Sequence, residues 1–445
     1  MDVEKIKQKI LDLAIRGKLV PQDPNDEPAS VLIEKIKAEK AKLVKEGKIK
    51  ASKEESYIFK GSDNFYYEKI GNKTTCIQDE IPFEIPSTWQ WTRINNIGEI
   101  IGGGTPSTAN IEYWDKGDIV WITPAYMSRL DTPFINDSDR KITTEGLRHS
   151  SAKLMPAGSI IMSSRAPIGY LAINNVPACT SQGCKSLVPY ITETNMYILN
   201  AIKASIGRVI ESSKGTTFDE ISGTQFGNIL IPLPPIVEQT KINELISKAF
   251  EVLTKIADNN QLISRYTKSV KGKILELFFG ENSSYKSYYK NGFLIDDVEI
   301  YDNLRKPISL SEREKRLEKA QTLYPYFGAT GQTGVIDDYI LEGEYVLLGE
   351  DGAPFLDKTA NKAYLVQGKI WVNNHAHVLK SKTNNKFLMY YLNWFDYFDY
   401  VSGTTRLKLN QAMMKKIPFP IVSRDIKEEI VDKIEKAFAI LDVIN

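Results

Sequence analysis

"GTTFDEISGTQFGNILIPLPPIVEQTKINELISKAF" begins at Gly215, and "GTTRLKLNQAMMKKIPFPIVSRDIKEEIVDKIEKAF" begins at Gly403, 188 residues later. Each copy opens on Gly-Thr-Thr, crosses an Ile-Pro-x-Pro strand end and enters an amphipathic helix that closes on Ala-Phe. Nothing else in the chain restricts the fold as strongly, because a repeated supersecondary unit must be built twice. The echo continues upstream. "AGSIIMSSRAPIGYLAI" from Ala157 answers to "EGEYVLLGEDGAPFLD" from Glu342, and "TSQGCKSLVP" to "NNHAHVLKSK". "IGEIIGGGTPS" from Ile97 faces "DVEIYDNLRKPIS" from Asp297. Each half reads as short strands punctuated by Gly, Pro and Asn, with some helix and a helical exit. The spacing predicts one module over 84–235 and another over 284–422.

The segment between them, 236–283, has a different period. Ile242, Ile246, Ala249, Leu253, Ile256, Asn260, Ile263, Thr267, Val270, Ile274 and Leu277 alternate by four and three. That heptad seam predicts a long helix packed on another helix, about 60 Å long at 1.5 Å per residue. Asn260 either fixes register inside the seam or faces water at a local break. The partner helix comes in two pieces. Ile430, Ile434, Ala437, Leu441 and Ile444 repeat the first five seam positions, while Val3, Ile6, Ile10 and Leu13 repeat the last four. Segments 1–17 and 423–445 therefore read as a split helix short of one heptad, with Met1 and Asn445 expected within about 10 Å of each other. Residues 18–83 stand outside the repeat and read as a helical arm, capped by Ser30, followed by a charged linker.

A chain of 445 residues exceeds one ordinary core, and two or three domains are expected. A formal net charge of +1 creates no long-range basic field, so any nucleic-acid contact must be local or shared with partners. The charged start lacks the apolar core of a signal peptide, and no apolar run is long enough for a bilayer. Cys76, Cys179 and Cys184 are too scattered for a disulfide framework, which favours a reducing cytoplasm.

The doubled modules, Ile-Pro-x-Pro exits and paired helices together resemble the specificity subunits of type I restriction–modification enzymes. "PSTWQWTRINNIGEIIGGGTPS", "GSIIMSSRAPIGYLAI", "IPLPPIVEQTKI", "YPYFGATGQTGVIDDYILEGEYVLLGEDGAP" and "IPFPIVSRDIKEEIV" carry the resemblance across nearly the whole chain. It implies an α/β fold: two β-rich target-recognition domains in pseudo-two-fold arrangement, separated by two long antiparallel helices. It also implies that each domain reads half of a bipartite site in double-stranded DNA. Two methyltransferase subunits would dock on the helices, and restriction/translocase subunits would join that core. S-adenosylmethionine, ATP and Mg would then sit on the partners, with no cofactor in this chain.

Motifs for chemistry in the chain itself are weak. Gly328, Gly331 and Gly334 have a spacing that could cradle a cofactor, yet strand and turn follow them rather than a helix. No Gly-Lys-Ser/Thr and no Asn/Asp-Pro-Pro-aromatic tetrapeptide occurs. His375 and His377 share a strand face but find no Cys or carboxylate cluster in the sequence to complete a metal set. Asp351 and Glu350 read as an isolated acidic pair. The expectation is a non-catalytic chain without a metal. A cofactor-dependent DNA methyltransferase and a non-DNA structural adaptor are the alternatives.

Candidate DNA contacts follow from the chemistry of base edges and phosphates. Arg pairs with guanine, Asn or Gln pairs with adenine, and Ser, Thr and Lys grip phosphates. In the first module the candidates are Ser163, Ser164, Arg165, Ser181, Gln182, Lys185, Lys214, Thr216 and Thr217. In the second they are Asn373, Asn374, His375, Thr404, Thr405, Arg406 and Lys408.

Overall fold

Pro234 and Pro235 end the strand Leu230–Leu233, and the chain turns directly into a 44-residue helix, Ile236–Phe279. Proline is tolerated at a helix start because the first N–H groups have no intrahelical partner. A computed structural model describes residues 2–51, 56–165, 167–213 and 220–443. The chain divides into two compact units, 1–255 and 256–445, with the boundary inside the long helix. Each unit is mixed α/β.

In the first unit, the helix Val3–Ile15 runs antiparallel to the start of the long helix. Lys7 sits 5.8 Å from the Phe250 ring, and further along Gln22 reaches Glu238. Ile242 and Ile246 share a core with Leu11, Ala14 and Ile15. The expected seam residues Ile6, Ile10 and Leu13 are only half-buried. The second unit repeats the pairing with the last helix, Arg424–Asp442. Lys271 bonds Asp442 at 2.6 Å and lies over Phe438, while Tyr285 meets Glu429 and Lys433. Ile430 and Ile434 are fully buried, and Leu441 is half-buried. Ile444, Met1 and Asn445 lie outside the described residues.

The strict heptad seam needs correction along the long helix. Ile242, Ile246 and Leu253 are buried as expected, but Asn260 is exposed, Ile263 is 37% exposed, Val270 39% and Leu277 68%. Thr267, also a seam position, is buried as expected, but beyond it burial passes to Leu275 and Phe279, and Ile274 is half-buried. A straight α-helix drifts by about 20° per heptad against a 3.5-residue repeat, so its buried stripe leaves the seam after a few turns. Asn260 faces solvent.

The repeat is visible strand by strand. The first unit has a sheet ordered Gly98–Gly102, Cys184–Pro189, Ile160–Ser163, Leu171–Asn174, Phe134–Ile135. The second has Val298–Ile300, Ala376–Ser381, Leu341–Gly349, Ala363–Val372, Tyr324–Gly328, Gly331–Ile336. The first four strands correspond in order. The long-range pair also recurs: Gln90–Arg93 with Leu230–Leu233, and Lys290–Phe293 with Pro418–Ile421. Apolar alternation drives both sheets, with Ile160, Met162 and Leu187 in one core and Val346, Leu348 and Leu379 in the other.

The arm contains more than a helix and linker. Its helix, Ala29–Lys45, starts after Pro28 without the expected Ser30 cap. Strands Ser56–Lys60, Tyr66–Ile70 and Lys73–Cys76 then form an antiparallel sheet. Gly71, at φ +56°, opens the two-residue Gly-Asn hairpin turn that this conformation demands. Arg93 fastens the sheet through a bidentate pair with buried Glu68 at 2.8–3.0 Å.

Candidate nucleic-acid interface

Each unit carries a polar tip where its central strands end, and the two tips are closed by the same backbone bonds. In the first, Ser164 N–H donates to the Gly183 carbonyl at 2.8 Å, Ile221 N–H donates to the Ser164 carbonyl at 2.9 Å, and Arg165 bridges Glu220. In the second, Glu350 N–H donates to the His375 carbonyl at 2.8 Å, Leu409 N–H donates to the Glu350 carbonyl at 2.8 Å, and Asp351 bridges Lys408. The candidate loops that the sequence places far apart are therefore brought together, once per unit.

Within the first tip, several candidates are spent on structure. Ser163 Oγ donates to the Pro167 carbonyl at 2.9 Å and accepts from Tyr170 N–H at 2.8 Å. Ser163 and Ser164 are fully buried, and Ser181 nearly so, which corrects their assignment as phosphate contacts. A hydroxyl that solvent cannot reach cannot meet a phosphate. Arg165 and Gln182 remain presented, with Gln182 accepting from Thr105. Lys185 is mostly buried and pairs with Glu220 at 3.2 Å, 3.9 Å from which Arg165 also lies. Lys214, Thr216 and Thr217 lie outside the described residues. The thiols of Cys179 and Cys184 are pushed up to about 12 by burial, so neither is a reactive nucleophile.

The second tip presents more. Asn374, Thr404, Thr405, Arg406 and Lys408 are exposed, and His375 is partly so. Asn373 is half-buried, and its Oδ1 is taken up locally by His375 N–H at 2.8 Å. Arg406 Nε donates to Asp351 at 2.6 Å, and one terminal nitrogen lies 3.4 Å from His375 Nδ1. The Asp351 carboxylate on Nε fixes a guanidinium whose side chain is 60% exposed, and guanidinium is the group that pairs with guanine O6 and N7.

Beneath that tip lies a network that sequence reading missed. His377 is fully buried, with Nδ1 2.6 Å from Asp302 and Nε2 2.8 Å from the Leu409 carbonyl. Glu350 completes a trio whose ligand atoms lie within 4.8 Å. The fold thus supplies the carboxylates that the sequence seemed to lack. Their oxygens are engaged: Arg305 bonds both Asp302 and Glu350, Lys408 lies 3.5 Å from Glu350, and Gln411 and Val378 N–H donate to Asp302. Burial opposes the charge on Asp302, but the His377 bond and nearby Arg305 hold its carboxyl below the usual range. Arg305 occupies the position of a cation between the carboxylates, and the cluster braces the tip. Only contact across 75 residues joins His377 to Asp302, so no local motif announces it.

Gly328 and Gly331 flank a two-residue turn between antiparallel strands, with Gly331 at φ +131°. They are hairpin glycines, because a dinucleotide cradle requires the turn to open a helix.

Comparison with known proteins decides the family. A family model described as the type I restriction modification DNA specificity domain matches residues 86–264 and 298–445, well over half of the chain. The chain belongs to this family. One relative, the type I restriction enzyme MjaIX specificity subunit of Methanocaldococcus jannaschii, is 32% identical over 216 residues, 48% of this chain and 48% of that protein. The EcoR124I/EcoR124II specificity subunit of Escherichia coli is 34% identical over 171 residues, 37% of this chain and 41% of that protein. The chain spans about half the length of these two relatives, or less. A solved structure from work on complex assembly and conformational transition of the type I R-M system shares the fold, with TM-score 0.56 and 15% identity over 82% of this chain and 93% of that one. Specificity-domain membership fits the two matched stretches, each of which contains one tip. Among the described residues, no helix is long and apolar enough to cross a membrane.

Proposed function

We propose that the chain is the DNA-reading subunit of a type I restriction–modification complex, with each module recognising half of a bipartite site. The observation that carries this reading is the duplicated tip: one backbone scaffold, built twice, with different side chains presented on each copy. A scaffold kept constant while its outward residues change is what two independent readers require. The long helix and its antiparallel partners would hold the modules apart and dock two methyltransferase subunits, to which restriction/translocase subunits add in the cytoplasm. Catalysis would lie on those partners. S-adenosylmethionine, ATP and Mg would be theirs, and this chain would hold no cofactor or metal. In support, the only cofactor-like glycines form a hairpin, and the His377 carboxylates are already engaged by protein donors.

The test is a module exchange. Replacing residues 84–235 by the corresponding domain of a relative, within the assembled methyltransferase, should change one half of the methylated motif and leave the other intact. A motif altered in both halves, or in neither, overturns the assignment of one half-site per module.

A further inference from the structure

An arginine without a counter-charge stands beside the polar tip of the first unit. Arg140 is exposed, and among the described residues its guanidinium makes no ion pair or hydrogen bond. Aromatic rings hold it instead. Its Cζ lies 4.0 Å from the Trp114 ring centroid and 5.1 Å from that of Trp121, and the two indoles meet edge to face at 85°. Both rings are anchored in turn. Trp121 is buried and its Nε1–H donates to the Gly104 carbonyl at 2.9 Å, while Trp114 Nε1–H donates to the Ser107 carbonyl at 3.1 Å. The carboxylates nearest in the chain are already engaged, Asp137 by Lys141 at 3.0 Å and Asp139 by Arg129.

Backbone bonds tie this corner to the tip. Trp121 N–H donates to the Arg140 carbonyl at 3.2 Å, and the carbonyl of the next residue, Ile122, accepts from Ser181 N–H at 2.9 Å. Gly104 N–H donates to the Thr180 carbonyl at 2.8 Å, and Thr105 donates to Gln182. Arg140 and the presented Gln182 thus belong to one hydrogen-bonded scaffold. Arg165, by contrast, shares Glu220 with Lys185. A ring takes the face of a guanidinium and leaves its N–H edges for an acceptor outside the protein. A planar fork held in one orientation suits a planar pair of acceptors, such as guanine O6 and N7. A phosphate needs positive charge but no fixed plane, which a mobile lysine supplies as well.

We infer that Arg140 is a specificity-determining residue of the first module and reads a guanine in that module's half-site, held for the task by the indoles of Trp114 and Trp121. The assignment rests on the DNA-reading function proposed above.

The experiment uses the full chain with its methyltransferase subunits, in competition binding against duplexes substituted position by position. Arg140→Ala should weaken the specific site between about fivefold and about 150-fold and flatten the preference at one G·C pair. That pair should lie in the half-site that exchange of residues 84–235 alters. Arg140→Lys keeps the charge but not the planar fork, so it should reduce the preference at the same pair and leave the salt dependence unchanged. Both variants should keep the preferences of the other half-site, which shows that they fold and assemble. Uniform weakening of every substituted duplex overturns guanine reading and makes Arg140 a phosphate contact. Unchanged affinity and preference in Arg140→Ala, or a change confined to the other half-site, overturns the assignment as well. A wild-type complex without preference among the duplexes overturns the DNA-reading function itself.

Discussion

Arg165 bridges Glu220 in one unit, and Asp351 bridges Lys408 in the other, so corresponding backbone positions carry exchanged charges. The bonds that close the two loops are otherwise the same, donor for donor. The neighbouring inward position also differs: Lys185 pairs with Glu220 in the first tip, while buried His377 pairs with Asp302 in the second. The backbone bonds depend on strand order and turn length, which duplication preserves. The ion pairs depend on which side chains meet across the tip, and these are free to change as pairs. A repeat of this kind constrains the scaffold and leaves the readout open.

The same contrast recurs where each module meets its spacer helix. Lys427, fully buried, bonds Asp297 at 2.6 Å and lies 5.2–5.3 Å from the Phe387 and Phe419 rings. Its counterpart in the repeat is Gln239, whose amide nitrogen donates to the Pro234 carbonyl, and Asp297 corresponds to buried Ile97. Burial lowers the Lys427 pKa, and Asp297 opposes that shift. Importing only half of the first unit's solution, as Lys427→Gln, would leave the buried Asp297 carboxylate without its cation, bonded only by the Ser381 and Thr383 hydroxyls, and should cost about 3–5 kcal/mol in denaturant unfolding. Importing both halves, Lys427→Gln with Asp297→Ile, should recover most of that loss. A double variant as unstable as the single one would mean that the two modules are not interchangeable at this position.

How far the molecule was legible in advance follows the same division. The repeat at an offset of 188 located the second-copy elements: Gly223–Gly227 answers to Gln411–Met414, and Leu230–Leu233 to Pro418–Ile421. Proline exits and strand alternation are local signals, so they survive in the text. The arm's sheet was legible too, in the Gly71-Asn72 turn between alternating runs, but the lysine-rich surroundings masked it. Glu220, Glu350, Asp302 and Arg305 were not legible as parts of the tips, because only the folded sheet brings them there. Ser163 and Ser164 misled for the converse reason: a small polar residue in a loop motif reads as presented until the turn that consumes its hydroxyl is seen.

Exchange of charges at the tips should be felt in binding more than in folding. Arg406 is 60% exposed at its side chain, and an exposed ion pair such as its bond to Asp351 contributes little, so Arg406→Ala should change stability by no more than about 1 kcal/mol. If its terminal edge reads a guanine, the variant should lose about 1–3 kcal/mol of affinity for the specific site and relax preference at one base pair of one half-site. Competition binding against duplexes substituted position by position measures both. A uniform loss across all substituted duplexes would reassign Arg406 to a phosphate and leave the second tip without its leading base reader.

The smallest expected effect is the most discriminating for the helices. A strict heptad would bury Val270 and Leu277 as firmly as Ile242 and Ile246, and truncation to alanine would then cost about 2–5 kcal/mol at each. In the structure Leu277 is 68% exposed while Leu275 and Phe279, two residues to either side, are buried. Removing methyl groups that are already in water forfeits little transfer free energy and creates no cavity. Alanine is also a better helix former than valine and slightly better than leucine, which offsets part of any loss. Leu277→Ala and Val270→Ala in the assembled subunit should therefore shift unfolding by no more than about 0.5 kcal/mol. A loss of several kcal/mol at Leu277 would place it inside a helix seam after all, and the drift of the buried stripe along this helix would have to be given up.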